Sequence, residues 1–211
     1  MLRPNLPTDL DSFGEAVKTK YIQMINGVLE NLDISWEERL GDGMRVVSEG
    51  SIEDIVFKHE RKDKHTLATA LIKDGQPYHI DTYETDHTGM LRKTTVQLIG
   101  KQPHWIYKYE IINGNLRVTR INDSGEVIIY NMIIIESDKN GRIKRAEYRE
   151  VKTNILYGTL YCERDGNGKL KTETFEEDVA RMATHIDAAG RYLKMEFFER
   201  GKLTATMVYK H

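Results

Sequence analysis

Cysteine is nearly missing from this chain. Cys162 is the single one in 211 residues, so no internal disulfide can form, and the disulfide-stapled design of small secreted domains is excluded. Proline is also scarce, at 4, and no Pro-, Gly- or Ser-rich stretch marks a linker. No apolar run is long enough to span a bilayer as a helix, and Met1 to Pro7 lacks the apolar core of a signal peptide. The expected location is therefore the cytosol, or a route out that ignores signal peptides. Charge of one sign is missing too: 31 basic side chains stand against 33 acidic ones, for a net charge of −2. Without a positive excess to neutralise phosphates, nucleic acid is not an expected partner. The chain has no G-x-S-x-G, no glycine loop that cradles phosphate ahead of a helix, no C-x-x-C and no H-E-x-x-H. No cofactor is implied, and an enzyme is the less favoured class.

What the chain does have is periodicity. Residues 9–32 place Leu10, Phe13, Val17, Tyr21, Met24, Val28 and Leu32 at three- and four-residue spacing, the stripe of an amphipathic helix. Pro7 and Thr8 open it, and Gly14 and Gly27 each weaken it by roughly 1 kcal/mol, so packing must hold it. Ser35-Trp36-Glu37-Glu38 has the pattern that caps a second, short helix.

From about residue 44 the period changes to two and continues to residue 210. Asp74-Gly75 and Asn113-Gly114 are two-residue turns that accept positive φ at both positions. A second turn recurs as Asp/Asn-x-x-Gly at Asp86, Asn122, Asp138, Asp165 and Asp187. Its acid or amide can bond backbone amides ahead of it, and its glycine supplies the left-handed residue. Segmenting at these turns gives about twelve strands from Thr66 onward and two more before it. The fold expected is mainly β: one domain over 1–211, an antiparallel meander of about 12–14 strands at 44–210 that forms a strongly curved sheet or open barrel. The helix at 9–32 packs on it. Val127 to Ile135 is apolar at both parities and is expected to be a central strand covered on both faces.

Three segments resemble one another: Gly141-Arg-Ile-Lys-Arg-Ala-Glu-Tyr148, Gly168-Lys-Leu-Lys-Thr-Glu-Thr-Phe175 and Gly190-Arg-Tyr-Leu-Lys-Met-Glu-Phe197. They look like the hairpin repeats of YD/RHS-type proteins and, more faintly, MORN-like repeats. Intervals between the turn residues run 36, 16, 27 and 22, with no fixed period, so the likeness is one of hairpin chemistry rather than descent.

Two clusters are candidate sites. Alternation puts His79, Asp81 and Tyr83 on one face of a strand, and a plain two-residue hairpin sets Ala70 opposite His79 and Ala68 opposite Asp81. Arg92 and Thr94 are expected to join from the next strand. A His-Asp pair can position a proton or part of a metal shell, but a third ligand is not evident, and a solvated face is the simpler reading. The second cluster is Trp105, Tyr107 and Tyr109 along one strand, with Arg120 opposite Tyr107 and Val118 opposite Tyr109. Exposed, this ladder would suit a protein partner, because such residues dominate interface hot spots; buried, it would be core. His59, His65, His104, His185 and His211 form no ligand spacing, and Cys162 reads as a buried structural thiol.

These clusters give three expectations. The first is a non-catalytic binding protein of immunity, adaptor or inhibitor type, which engages a protein through a sheet face carrying Trp105, Tyr107, Tyr109 and Arg120. The second is a carrier that holds a hydrophobic small molecule in a curved-sheet cavity. The third is an enzyme with a diffuse site at His79 and Asp81.

Overall fold

A computed structural model describes residues 34–87, 91–99, 103–112 and 115–211. The helix expected at 9–32 and the Asn113-Gly114 turn lie outside the described residues. The first described element is α1 (Trp36–Leu40), and its start follows the sequence signal. Ser35 Oγ accepts from the Glu38 amide at 3.2 Å, while the Ser35 amide donates to Glu38 Oε2 at 2.8 Å. Gly41 then leaves the helix at φ 72°, where any Cβ would lie 2.1 Å from the Lys210 carbonyl oxygen. Only glycine can make that exit.

Fourteen antiparallel strands follow: β1 (Gly43–Ser48), β2 (Ser51–Arg61), β3 (Thr66–Lys73), β4 (Gln76–Thr85), β5 (Leu91–Leu98), β6 (Pro103–Ile112), β7 (Asn115–Asn122), β8 (Val127–Ser137), β9 (Ile143–Glu150), β10 (Leu156–Arg164), β11 (Leu170–Glu176), β12 (Ala180–Ile186), β13 (Tyr192–Glu199) and β14 (Lys202–Lys210). Each bonds to its neighbours in sequence, and β14 returns to β1 with Gly43 opposite Lys210 and Met44 opposite Tyr209. The sheet is thus a closed barrel, which removes the free edges that an open meander would carry.

The turn chemistry behaves as the sequence implies. Asp138 Oδ1 accepts the amides of Asn140 and Arg142 at 2.8 and 3.0 Å, and Gly141 takes φ 78°. Asp165 and Asp187 repeat the arrangement. Asp74 and Gly75 both have positive φ, as a two-residue hairpin turn requires.

Closure turns one face of every strand inward. The core runs through Met44, Ile55, Leu71, Tyr83, Tyr109, Met132, Tyr148, Phe175, Phe197 and Met207, all 3% exposed or less. Strand β8 departs from expectation. Met132 is buried, but Val127, Ile133, Ile134 and Ile135 are exposed. A barrel has a single interior, and among the described residues no layer covers the outside of β8, so its apolar run is not buried on both faces.

Candidate functional site

Because successive strands alternate in direction, the barrel has two distinct ends. At one end sit the start of β1, the end of β14 and α1. Leu40 is 2% exposed there, and the Trp36 ring stacks on Tyr83 at 5.7 Å with planes 5° apart. The Arg39 guanidinium lies 4.7 Å from the Trp36 ring centre and 5.8 Å from that of Tyr192. Outside, Arg61 grips Glu37 through Nε at 3.1 Å and Nη2 at 2.7 Å. His211 closes the seam, its Nε2 hydrogen-bonded to the Tyr192 carbonyl at 2.7 Å. Beneath α1 a small cavity with room for about one water molecule lies between Leu40, Met44, Phe57, Thr69, Leu71, Asp81, Tyr83 and Tyr209.

His79 and Asp81 lie within the barrel, 1% and 2% exposed, with Nε2 donating to Asp81 Oδ1 at 2.7 Å. The solvated face is corrected, and so is the register. Leu71 and Thr69, rather than Ala70 and Ala68, face His79 and Asp81, because a bulge between Leu71 and Ile72 shifts the hairpin by one residue. Among the described residues, the larger side chains leave beside Asp81 only the small cavity under α1. Thr94 joins the interior and accepts from the Tyr109 hydroxyl at 3.5 Å. Arg92 does not, since it is held by Asp86 outside. His79 Nδ1 finds no hydrogen-bond partner among the described residues. No group of three or more His, Cys, Asp or Glu is placed to hold a metal among the described residues. Alone, the pair can bond one polar atom of a guest.

The aromatic ladder has the expected register, Tyr109 opposite Val118 and Tyr107 opposite Arg120, and on the other face Glu110 lies opposite Arg117. Its exposure is not what a protein-binding face needs. Tyr107 and Tyr109 are 3% and 2% exposed, and burial drives the Tyr109 hydroxyl pKa far upward. Trp105 and Arg120 are half-buried at the end of the barrel opposite α1, with the guanidinium carbon 4.0 Å from the Trp105 ring centre.

Around them gather three residues that sequence reasoning missed. Tyr130 of β8 and Tyr157 of β10 bring their rings to 4.7 Å, and Tyr157 lies 6.0 Å from Phe175. Glu177, just past β11, shares a hydrogen bond with Tyr157. Burial pushes the Glu177 carboxyl up to about 7, against the Tyr157 hydrogen bond and the Arg120 charge, which pull it down. Tyr157 sits at a bulge, between Leu156 opposite Arg149 and Gly158 opposite Tyr148. A Cβ at Gly158 would strike the Phe175 ring at 2.2 Å, so the glycine is what lets Phe175 pack against the strand. A strand glycine beside a tyrosine was the available signal. Tyr130 was hidden in the apolar run of β8, and Glu177 in a turn.

No family model and no curated protein sequence matches the chain. Among solved structures it is similar to a LolA superfamily protein from Nitrosomonas europaea, at 8% identity over 91% of each chain, with a TM-score of 0.29. A score that low does not establish a common fold. The expectation of a protein partner is corrected. It required Tyr107 and Tyr109 on an outer face, and closure of the barrel puts them in the interior. No helix among the described residues is long and apolar enough to cross a membrane.

Proposed function

We propose that the protein binds a hydrophobic small molecule inside the barrel. The observation that carries this reading is the make-up of the inward face. It is a closed ring of apolar and aromatic side chains, interrupted by buried polar groups that include His79, Asp81, Thr94, Glu173 and Thr184. Ligand sites in proteins have this composition, apolar walls with polar groups that orient the guest. Since the cavity under α1 holds about one water molecule, a guest must displace inward side chains. Met44, Met132, Met182, Met195 and Met207 are all buried, and unbranched thioether chains repack around an incoming shape at low cost. The entrance is the rim of Trp105, Arg120, Tyr130, Tyr157 and Glu177. The opposite end is occupied by α1.

Titration with N-phenyl-1-naphthylamine, a neutral dye that brightens in apolar surroundings, tests the reading. A saturable rise at about one dye per chain is the expected result, with a shift in the emission of Trp105, one of two tryptophans. Native mass spectrometry of protein from its own host should show an adduct of a few hundred daltons. A clean apo mass together with no saturable dye binding would overturn the reading.

A further inference from the structure

The rim holds a cation in an unusual setting. The Arg120 guanidinium carbon sits 4.0 Å over the Trp105 ring centre and the group hydrogen-bonds Tyr130, while its Nε–H is buried with no hydrogen-bond acceptor among the described residues. Guanidinium groups in such settings bind carboxylate or phosphate oxygens through two parallel N–H donors. Its acidic neighbour is Glu177, hydrogen-bonded to Tyr157, so this carboxylate is partly engaged elsewhere. Tyr130 and Tyr157, with rings 4.7 Å apart, form an aromatic collar beside the guanidinium. Below the collar Phe175, Tyr148 and Met132 continue into the core.

The geometry points to an anionic headgroup site at Arg120, so that the ligand is an amphiphile whose acid group pairs with Arg120 while its chain lies among the inward aromatic and methionine side chains. This deepens the carrier reading and rests on it. The headgroup competes with Glu177 for the guanidinium. Facing Glu177 are Tyr157 from β10 and Arg120 from β7. Tyr130 of β8 stands beside both, with Glu150 at the end of β9 acting on Tyr130 and Tyr107 of β6 acting on Tyr157. Burial places the Glu177 carboxyl near neutrality, at about 7. Protonation of Glu177 removes the competing charge, so an anion binds more tightly on the acid side of that value.

Laurate and lauryl alcohol, matched in chain, separate the two levels of the reading when each displaces N-phenyl-1-naphthylamine at about pH 6 and about pH 8. The expected result is laurate preferred roughly tenfold over the alcohol at the lower pH, a factor typical of one charge-assisted contact. The preference should shrink at the higher pH. Arg120→Gln should abolish the preference, so that laurate and the alcohol bind alike, and Glu177→Gln should remove its pH dependence. Far-ultraviolet circular dichroism confirms that each variant is folded. If Arg120→Gln does not fold, the pH dependence lost in Glu177→Gln decides. Equal affinity of the unaltered protein for laurate and the alcohol overturns the headgroup site while leaving the carrier reading in place. Failure of the dye and of both amphiphiles to bind overturns the carrier reading itself.

Discussion

The two ends of the barrel are built from similar materials and held in different ways. At the helix end, aromatic rings and an arginine are fixed by redundant contacts. Trp36 stacks on Tyr83, Arg39 lies between Trp36 and Tyr192, Arg61 grips Glu37, and the backbone beyond Gly41 is bonded to β14. At the rim the contacts run between side chains alone: Arg120 sits over Trp105 and hydrogen-bonds Tyr130, the rings of Tyr130 and Tyr157 meet, and Tyr157 hydrogen-bonds Glu177, whose carboxyl burial pushes up to about 7. An end whose backbone is tied into the strand ladder opens only with a large part of the fold, whereas an end held by side chains alone can open by itself. On the proposed function, stability and access fall to opposite ends.

The largest expected effect is at the helix end. Leu40→Asp would place a carboxylate at a site 2% exposed and should cost about 4 kcal/mol, read as a lower urea midpoint with unchanged slope. A folded variant with the parent midpoint would mean that α1 does not close that end. Next comes the interior between the ends. Asp81→Ala strands His79, 1% exposed, without its acceptor and should cost about 3 kcal/mol, while Asp81→Val combined with His79→Leu should regain most of the loss. A single variant as stable as the parent would show that water reaches the pair.

The rim should answer to pH. The carboxyl of Glu177 ionises at 4.5 when unperturbed and near 7 in the folded protein, so between these values the folded state binds more protons than the unfolded one. Stability attributable to this group is therefore full below about 4.5 and falls as pH rises through 7. Glu177→Gln should remove that decline and raise stability above neutral pH by about 1–2 kcal/mol, the full conversion of the shift being about 3 and partial exposure reducing it. Unfolding curves at several pH values read this directly, and a Gln variant with the same pH profile as the parent would place the titration elsewhere. The smallest effect belongs to the surface clamp: Glu37→Ala should cost about 0.5 kcal/mol, because exposed ion pairs contribute little beside burial. A melting shift larger than that of Asp81→Ala would overturn this ranking.

Local signals in the sequence were legible because they depend on a few adjacent residues. The turns at Asp138, Asp165 and Asp187, the capping box at Ser35, the number of strands and the register of β6 on β7 all follow from short-range chemistry. The failures involve distance along the chain or a single inserted residue. Pairing of Gly43 with Lys210 decides that the sheet closes, and nothing near either residue announces it. One bulge at Leu71 moved the floor under His79 from alanine to leucine. Of the candidate site, Trp105 and Arg120 were found because they face one another across one hairpin, whereas Tyr157 and Glu177 reach the rim from three and four strands away.

The seam between β1 and β14 has a consequence for the order of assembly. Thirteen of the fourteen strand pairings join neighbours in sequence, so each can form as a hairpin with a small loop to close. The pairing of β14 with β1 brings together residues from opposite ends of the described chain, and its entropy is best offset once the rest of the sheet has curled. The barrel is therefore expected to zip along its length and to shut last, with Asp54 bridging Arg45 and Lys210 across the join. Until that moment β1 and β14 are bare edges, and a crowded folding reaction has its greatest chance there of joining one chain to the next.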